Sequence, residues 1–105
     1  MNLNELNELV DEIREDYCIP LFYSDNALKR NIKAGIAYLC TLYKDSDFMD
    51  DIVVRELLKE YVFYKYNNRA DEFKTNYAAS LLEWQMSKFK GVDTDEEQSS
   101  DAYLQ

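Results

Sequence analysis

The most apolar segment of this chain reads IVVRELLKEYVFYKYNN, from Ile52 to Asn68. Its apolar residues cover more than one stripe of a helix, a pattern typical of an element that is buried on several sides. The segment therefore predicts a central helix from about Phe48 to Tyr66. The pair Asn67-Asn68 is expected to end it.

Helical patterns continue after this segment. Asp71 can cap a further helix, and Gly91 is placed to end it. The apolar residues of that helix are Phe73, Tyr77, Leu81, Trp84 and Met86 or Phe89.

Before the central segment, Ser24 or Asp25 can cap a helix that runs to about Lys44. Gly35 lies inside it, where glycine costs about 1 kcal/mol relative to alanine. Either a neighbouring helix crosses closely at Gly35 or the helix is locally weak. The apolar stripe of this helix consists of Leu28, Ile32, Ile36, Leu39 and Tyr43.

The first segment of the chain predicts another helix, which Asn2 or Asn4 can cap. Pro20 then breaks the helical pattern. The apolar residues of the connector around Pro20 indicate that it packs against the core. The stripe of the first helix consists of Leu3, Leu6, Leu9, Val10, Ile13 and Tyr17.

Composition agrees with an all-α fold. The 105 residues include only two glycines and one proline, too few for the tight turns of a β-sandwich. We therefore expect a single domain of about four helices over residues 1–91. Residues 92–105 are acidic and poor in apolar side chains, so they predict a flexible, disordered tail.

The net charge of −9 is unevenly distributed. Residues 1–17 hold six carboxylates against one arginine, a formal −5, and residues 91–105 hold five carboxylates and no base, another −5. The part between them is therefore +1. An acidic chain repels phosphate backbones, which argues against direct binding of nucleic acid. The uneven charge is compatible with an acidic face that meets a basic face on a neighbouring molecule, and equally with ordinary solvation.

Residue types that commonly carry catalysis are scarce. Histidine is absent, which excludes Ser-His-Asp and Cys-His catalysis, and no glycine-rich phosphate loop occurs. Two sets of carboxylates could in principle bind a metal: the first at positions 47, 50 and 51, and the second at positions 8, 11, 12 and 15. We interpret the first set as helix-start chemistry and the second as a solvated helix face. The chain is therefore predicted to be no enzyme and to use no cofactor or metal.

Features that bear on location point to the cytoplasm. No apolar run approaches the roughly 20 residues that span a bilayer, and the first residues lack the pattern of a secretory signal. Cys18 and Cys40 are expected to be free thiols. Nine tyrosines favour a protein-binding role, because tyrosine is enriched at protein interfaces.

The stretch from Arg55 to Asn68, followed by FKTNY at 73–77, resembles the later half of small head–tail connector proteins of long-tailed phages and prophages. A tyrosine-rich helix there ends in Tyr-x-Tyr-Asn, and an aromatic residue and Asn-Tyr open the final helix. The positions that carry the resemblance are Tyr64, Tyr66, Asn67, Phe73, Asn76 and Tyr77.

The resemblance implies a structural subunit that assembles into a ring below the portal, at the head–tail junction of the virion. Such a ring extends the DNA channel and gives tail or stopper proteins their attachment surface. The subunit would be made in the host cytoplasm. The six resembling residues would either pack inside the protomer or contact a neighbouring subunit or the portal.

A ring joins different patches of adjacent subunits, so charges of opposite sign are expected on them. The candidate acidic patch consists of Glu8, Asp11, Glu12 and Glu15, and the candidate basic patch of Lys29, Arg30 and Lys33. The alternative function is a small acidic inhibitor or immunity-type protein that masks a basic target. Acidic charge, helices and many tyrosines suit it equally well.

Overall fold

The structure, a computed structural model, describes residues 1–93, with side chains for residues 1–89. The described part is all-helical and contains no strand, which confirms the predicted fold class. The predicted tail lies outside the described residues except for residues 92 and 93, which belong to the last helix. The five helices are α1 (Leu3–Asp16), α2 (Asp25–Leu42), α3 (Ile52–Tyr66), α4 (Ala70–Asn76) and α5 (Ala78–Asp93).

Helix α1 has well-defined signals at both ends. Asn2 and Glu5 form a capping box, in which each side chain accepts a hydrogen bond from the other residue's backbone N–H. At the other end Cys18 adopts a left-handed backbone with φ 53°, and the Ile19 N–H donates to the Arg14 carbonyl. This is a Schellman motif. The predicted stripe is buried except at Leu3, which is exposed, and at Tyr17, which follows the helix and is half-buried.

Helix α2 begins after Ser24, whose hydroxyl accepts the Ala27 N–H at 3.1 Å, as predicted. A Cβ atom at Gly35 would lie 2.6 Å from Cδ1 of Leu58 and 2.9 Å from Cδ1 of Tyr61. Both distances are shorter than van der Waals contact. Of the two explanations for Gly35, close crossing of a neighbouring helix is therefore the correct one.

Helix α3 starts four residues later than predicted. The Asp51 side chain accepts the Val53 N–H and caps the helix, while residues 48–50 form turns before it. Asp47 accepts the N–H groups of Met49 and Asp50 in that turn. At its end α3 closes as predicted, with Asn68 at φ 60° and the Arg69 N–H bound to a carbonyl of the last turn.

Asp71 does not cap the next helix as predicted: α4 begins at Ala70 after Arg69, without a side-chain capping bond, and Asp71 lies in its first turn. The single helix predicted in this region is in fact two, because the chain breaks at Tyr77. No proline or glycine marks the break. Phe73, on α4, is fully buried against the end of α3, whereas Trp84, on α5, packs against Tyr43 after the end of α2. The two helices thus pack against different parts of the molecule. The second of them continues to Asp93, two residues past Gly91.

Contacts between helices define two ends of the bundle. Tyr23 packs on Tyr66, so α2 runs antiparallel to α3. Lys88 pairs with Asp51, so α5 is also antiparallel to α3. We call the end that holds residues 17–24 the connector end and the end that holds Asp51 the opposite end.

Helix α3 is central, as predicted. The core consists of Leu6, Leu9, Val10, Ile13, Ile19, Leu28, Ile32, Leu39, Phe48, Val54, Leu57, Leu58, Tyr61, Val62, Phe73, Leu81 and Trp84.

None of the described helices combines the length and the apolar character that crossing a bilayer requires.

Candidate interaction surfaces

The α3–α4 corner holds four of the six positions compared above with connector proteins, and the three aromatic rings among them pack on one another. Phe73 is stacked on Tyr77 with ring centroids 4.7 Å apart, and it meets Tyr61 and Tyr64 edge to face. The Asn76 amide donates to the Tyr64 hydroxyl at 3.3 Å. These contacts hold α4 against α3 within one molecule.

The remaining two residues of this set lie beside the corner. Tyr66 packs edge to face on Tyr23 at 4.7 Å, which joins the end of α3 to the connector. The Asn67 amide donates to the Phe63 carbonyl at 3.0 Å. Tyr64, Tyr66 and Tyr77 keep part of their surface exposed, so the corner still presents aromatic area at the protein surface.

Glu60 joins three elements at the middle of α3. Its two carboxylate oxygens accept hydrogen bonds from the hydroxyls of Tyr17 (2.5 Å) and Tyr77 (2.7 Å). Burial and the bond to Glu60 raise the pKa of Tyr77 to about 12, and the same causes raise the pKa of Tyr17 further. Sequence reasoning missed Glu60. The available signal was a carboxylate within the predominantly apolar α3 sequence.

The inner flank of α1 is paired with α3 inside the molecule. The Arg55 guanidinium binds Glu12 and also Glu8, the latter at 3.1 Å. The Lys59 ammonium, in a residue only 3% exposed, donates to Glu12 and Asp16, both at 2.6 Å. It also donates to Glu56 at 3.0 Å.

These contacts set the protonation of the charge cluster formed by Arg55, Lys59 and their carboxylates. Burial alone would lower the pKa of Lys59, but the hydrogen bonds that its ammonium donates to Asp16, Glu12 and Glu56 outweigh burial and raise that pKa. The hydrogen bond from Arg55 lowers the pKa of Glu12. Arg55, Lys59 and Glu12 are therefore charged at neutral pH.

The charges proposed from sequence as subunit contacts separate into two groups. Glu8 and Glu12 face Arg55 within the molecule, whereas Asp11 and Glu15 are exposed. On α2, Lys29 is half-buried, and Arg30 and Lys33 are exposed. Among the described residues, these three cations and the carboxylates of Asp11 and Glu15 form no salt bridge.

An apolar tip projects from the connector end. Leu21 is 85% exposed and Phe22 is 88% exposed, so the expectation that the connector packs against the core is wrong at these two residues. The Tyr23 N–H donates to the Pro20 carbonyl at 3.0 Å, which closes a tight turn around them. Because Ile19 and Tyr23 on either side take the inward positions, Leu21 and Phe22 are left at the corner of the turn.

An apolar groove of about 340 Å³ runs along α3 from the opposite end. At its start Ile52 is 71% exposed and Val53 is 52% exposed, so the expectation that α3 is covered on several sides fails at its first turn. The groove is lined by Ile52, Val53, Glu56, Leu57, Glu60 and Tyr77.

A third apolar surface follows α5. Leu82, Met86 and Phe89 are exposed at spacings of four and three, which places them on one stripe of the helix. Phe89 also touches the ring of Tyr43. The buried side of α5 is a different one, because Leu81 and Trp84 face the core.

No protein-family model, curated protein or solved structure matches this chain. The tip, the groove, the α5 stripe and the corner are therefore the features of the molecule that bear on its function.

Reactive side chains in the described residues are few. Cys18 is exposed and Cys40 is half-buried, and both are free thiols, as predicted. No group of three or more cysteine, aspartate or glutamate side chains within residues 1–89 is arranged to hold a metal ion. The carboxylates at 8 and 12 instead bind cations of α3, and Asp51 caps that helix.

Proposed function

We propose that this chain is a structural subunit of a phage head–tail connector ring. The ring would bind below the portal at the head–tail junction of the virion, extend the DNA channel and give tail or stopper proteins their attachment surface. The observation that carries the proposal is the presence of three separate exposed apolar surfaces on one small molecule.

Three such surfaces exceed what a monomer requires. Single exposed apolar residues are normal on any protein, but groups of them mark places where another surface binds. A subunit of a closed ring needs two different surfaces for its two neighbours. The tip and the groove lie toward different ends of the molecule and supply such a pair. The α5 stripe then remains for the portal or for a tail or stopper protein.

The α3–α4 corner supports the same proposal through its resemblance to connector proteins. Phe73 and Tyr77 hold α4 on α3, so the resembling residues have a structural task in the protomer. The partly exposed rings of Tyr64 and Tyr66 leave room for a further contact with a neighbour. The net charge of −9 suits a channel that DNA must leave freely, since a basic wall would bind the phosphates.

The inhibitor alternative is less well supported by the four-residue acidic patch of α1. A protein that masks a basic target needs carboxylates directed outward. Glu8 and Glu12 are directed at Arg55 instead, so Asp11 and Glu15 are the outward carboxylates left in the four-residue acidic patch.

The decisive experiment is co-assembly with the portal protein of the phage or prophage from which this chain comes. We expect native mass spectrometry and electron microscopy to show a ring of this chain on the portal ring. A Leu82→Ser/Met86→Ser variant should remain folded and lose portal binding. An exposed-site control, Lys33→Ser, should bind as the wild type does. If the wild-type chain does not join the portal ring, the connector proposal is wrong.

A further inference from the structure

Helix α2 and the two residues after it are basic, although the chain as a whole is acidic. Residues 26–44 contain four cations and no carboxylate, a formal +4. Three of the four cations are exposed, and Lys29 is half-buried. We call this set the α2 basic face. It consists of Lys29, Arg30, Lys33 and Lys44.

Carboxylates of the described part of the chain do not pair with this face. None of its four cations forms a salt bridge there. Asp25, at the start of α2, is bound to Arg14 at 2.6 Å instead. Asp45 after Lys44, like Asp11 and Glu15 on α1, is exposed without a salt bridge. The α2 basic face is therefore open to a further anion.

The same chain carries an anion of matching size. Residues 95–101 hold four carboxylates and no cation, a formal −4, which is equal and opposite to the charge of the α2 basic face. These residues lie outside the described part of the structure. We call them the acidic segment, and its carboxylates are Asp95, Glu96, Glu97 and Asp101.

The end of α5 lies beside the end of α2. Phe89 meets the ring of Tyr43 edge to face, and the Lys88 ammonium lies 6.0 Å from the centre of the same ring. Tyr43 directly precedes Lys44 of the α2 basic face. Because α2 and α5 are both antiparallel to α3, both helices finish at the opposite end. The acidic segment therefore leaves the bundle next to the α2 basic face.

The acidic segment can extend along this face toward the connector end. Lys33 precedes Tyr43 by about 15 Å along α2, and α5 continues about 6 Å beyond Phe89 to Asp93. The path from Asp93 back to Lys33 is therefore about 21 Å long. An extended chain from Asp93 to Asp101 spans up to about 26 Å, so Asp101 can reach Lys33.

We infer that the acidic segment binds the α2 basic face of the same molecule and shields it from other polyanions. The inference does not depend on the proposed ring. Covalent attachment at the end of α5 gives the segment a high effective concentration at the face, which favours this contact over the same contact between two copies. Exposed ion pairs add little stability, so the contact leaves the melting temperature nearly unchanged. Its effect is electrostatic, since a neutralised face no longer attracts phosphates.

Zero-length carbodiimide cross-linking of the full chain tests the contact, because this reagent joins a lysine to a carboxylate that lies against it. An equal mixture of isotope-labelled and unlabelled chains shows by mass spectrometry whether both joined peptides come from one molecule. We expect Lys33 and Lys44 to be joined to the acidic segment within one molecule. The yield should fall several-fold between about 0.02 M and about 0.5 M salt, which screens the charges.

Two variants separate the α2 basic face from basic residues elsewhere. Arg30→Gln/Lys33→Gln changes two exposed positions, so the variant should keep the wild-type circular dichroism spectrum. It should lower the yield of the product at Lys44 about threefold, because two ion pairs are lost. Lys74→Gln is the matched control. Lys74 is exposed on α4, where its ammonium lies over the Tyr38 ring, and its replacement should leave that yield unchanged.

A second pair of full-chain variants tests the shielding. The first replaces the four carboxylates of the acidic segment by the corresponding amides. Its matched control has the same net charge but replaces four exposed carboxylates elsewhere. We expect a short fluorescent DNA duplex at low salt to bind the first variant about tenfold more tightly than the control. The control substitutions are Glu15→Gln, Asp50→Asn, Asp71→Asn and Glu83→Gln.

Two results of the cross-linking would overturn the contact. One is a yield at Lys33 and Lys44 no higher than that at Lys65 and Lys74. The other is a product that comes mainly from two different molecules, which would assign the α2 basic face to a neighbouring copy. Equal binding of DNA by the two charge variants would overturn the shielding. The connector proposal is decided separately, by co-assembly of the wild type with the portal ring.

Discussion

Replacing Lys59 by methionine removes one charge from the contact between α1 and α3 while it keeps the length of the side chain. The ammonium donates to Glu12, Asp16 and Glu56 at 2.6, 2.6 and 3.0 Å. Its loss removes three charge-assisted hydrogen bonds and leaves three carboxylates close together. We therefore expect the variant to be folded but clearly less stable.

The structure sets the size of the effect. Removing one partner of a fully buried ion pair costs about 3–5 kcal/mol. Here the side chains of the three carboxylates are between 29% and 55% exposed, so water can solvate them again. Arg55 also continues to bind Glu12. A loss of about 2–3 kcal/mol follows, which lowers the melting temperature of a domain of this size by about 10–20 °C.

Thermal unfolding followed by circular dichroism at neutral and at acidic pH is the suitable assay. The bond to Arg55 lowers the pKa of Glu12, so its stabilisation is present above the ordinary value of 4.5 and is lost as the pH falls. Lys59 also lowers the pKa of Glu12, so the difference in stability between wild type and Lys59→Met should shrink as the pH falls below 4.5. Lys33→Met, at an exposed position, should change stability by less than about 0.5 kcal/mol. A melting temperature of Lys59→Met that is less than about 3 °C below that of the wild type at neutral pH would contradict this prediction.

Three further predictions concern other parts of the molecule. Gly35→Ala should lower the free energy of unfolding, measured in urea, by about 1 kcal/mol. The clash with Leu58 costs about 1–3 kcal/mol, which exceeds the gain in helix propensity. A stabilised variant would contradict the close crossing. The pKa of Tyr77 is raised in the folded protein. Its contribution to the free energy of unfolding should therefore be present below about pH 10 and be lost as the pH rises toward 12. The Tyr77→Phe variant should have a lower free energy of unfolding than the wild type at neutral pH. If its unfolding profile against pH equals that of the wild type, the bond to Glu60 has no role in stability. A chain ended after Asp93 should melt within a few degrees of the full chain, since residues 94–105 contain few apolar side chains; a large loss would mean that they pack on the domain.

The ends of α1, α2 and α3 show where sequence reasoning succeeds. Asn2, Ser24 and Asn68 act on backbone groups within a few residues of themselves, so their effects can be predicted from spacing. The burial of the α2 stripe could be predicted in the same way, because apolar residues that recur with a period of about 3.6 residues lie on one face of a helix. Gly35 was recognised as exceptional, but its cause became clear only from the position of Leu58.

The candidate surfaces were less accessible to such reasoning. The sequence marked the acidic residues of α1 and the basic residues of α2, and it gave no account of which charges are already paired. Arg55 and Glu12 are 43 positions apart, and only packing brings them together. The exposure of Leu21 and Phe22 was missed for a related reason: apolar residues beside a proline favour a buried connector unless the turn is known.

The sequence alone predicted that this protein is helical, where α1 and α2 begin, where α3 ends, and that its charge lies at its two termini. These properties follow from side chains acting on nearby backbone and from their periodicity. Tertiary structure decided that the chain breaks at Tyr77, that Lys59 is buried among carboxylates, and that the tip, the groove and the α5 stripe remain exposed. Such features depend on which faces of the helices meet, and the free energy of that choice is shared among residues far apart in the chain.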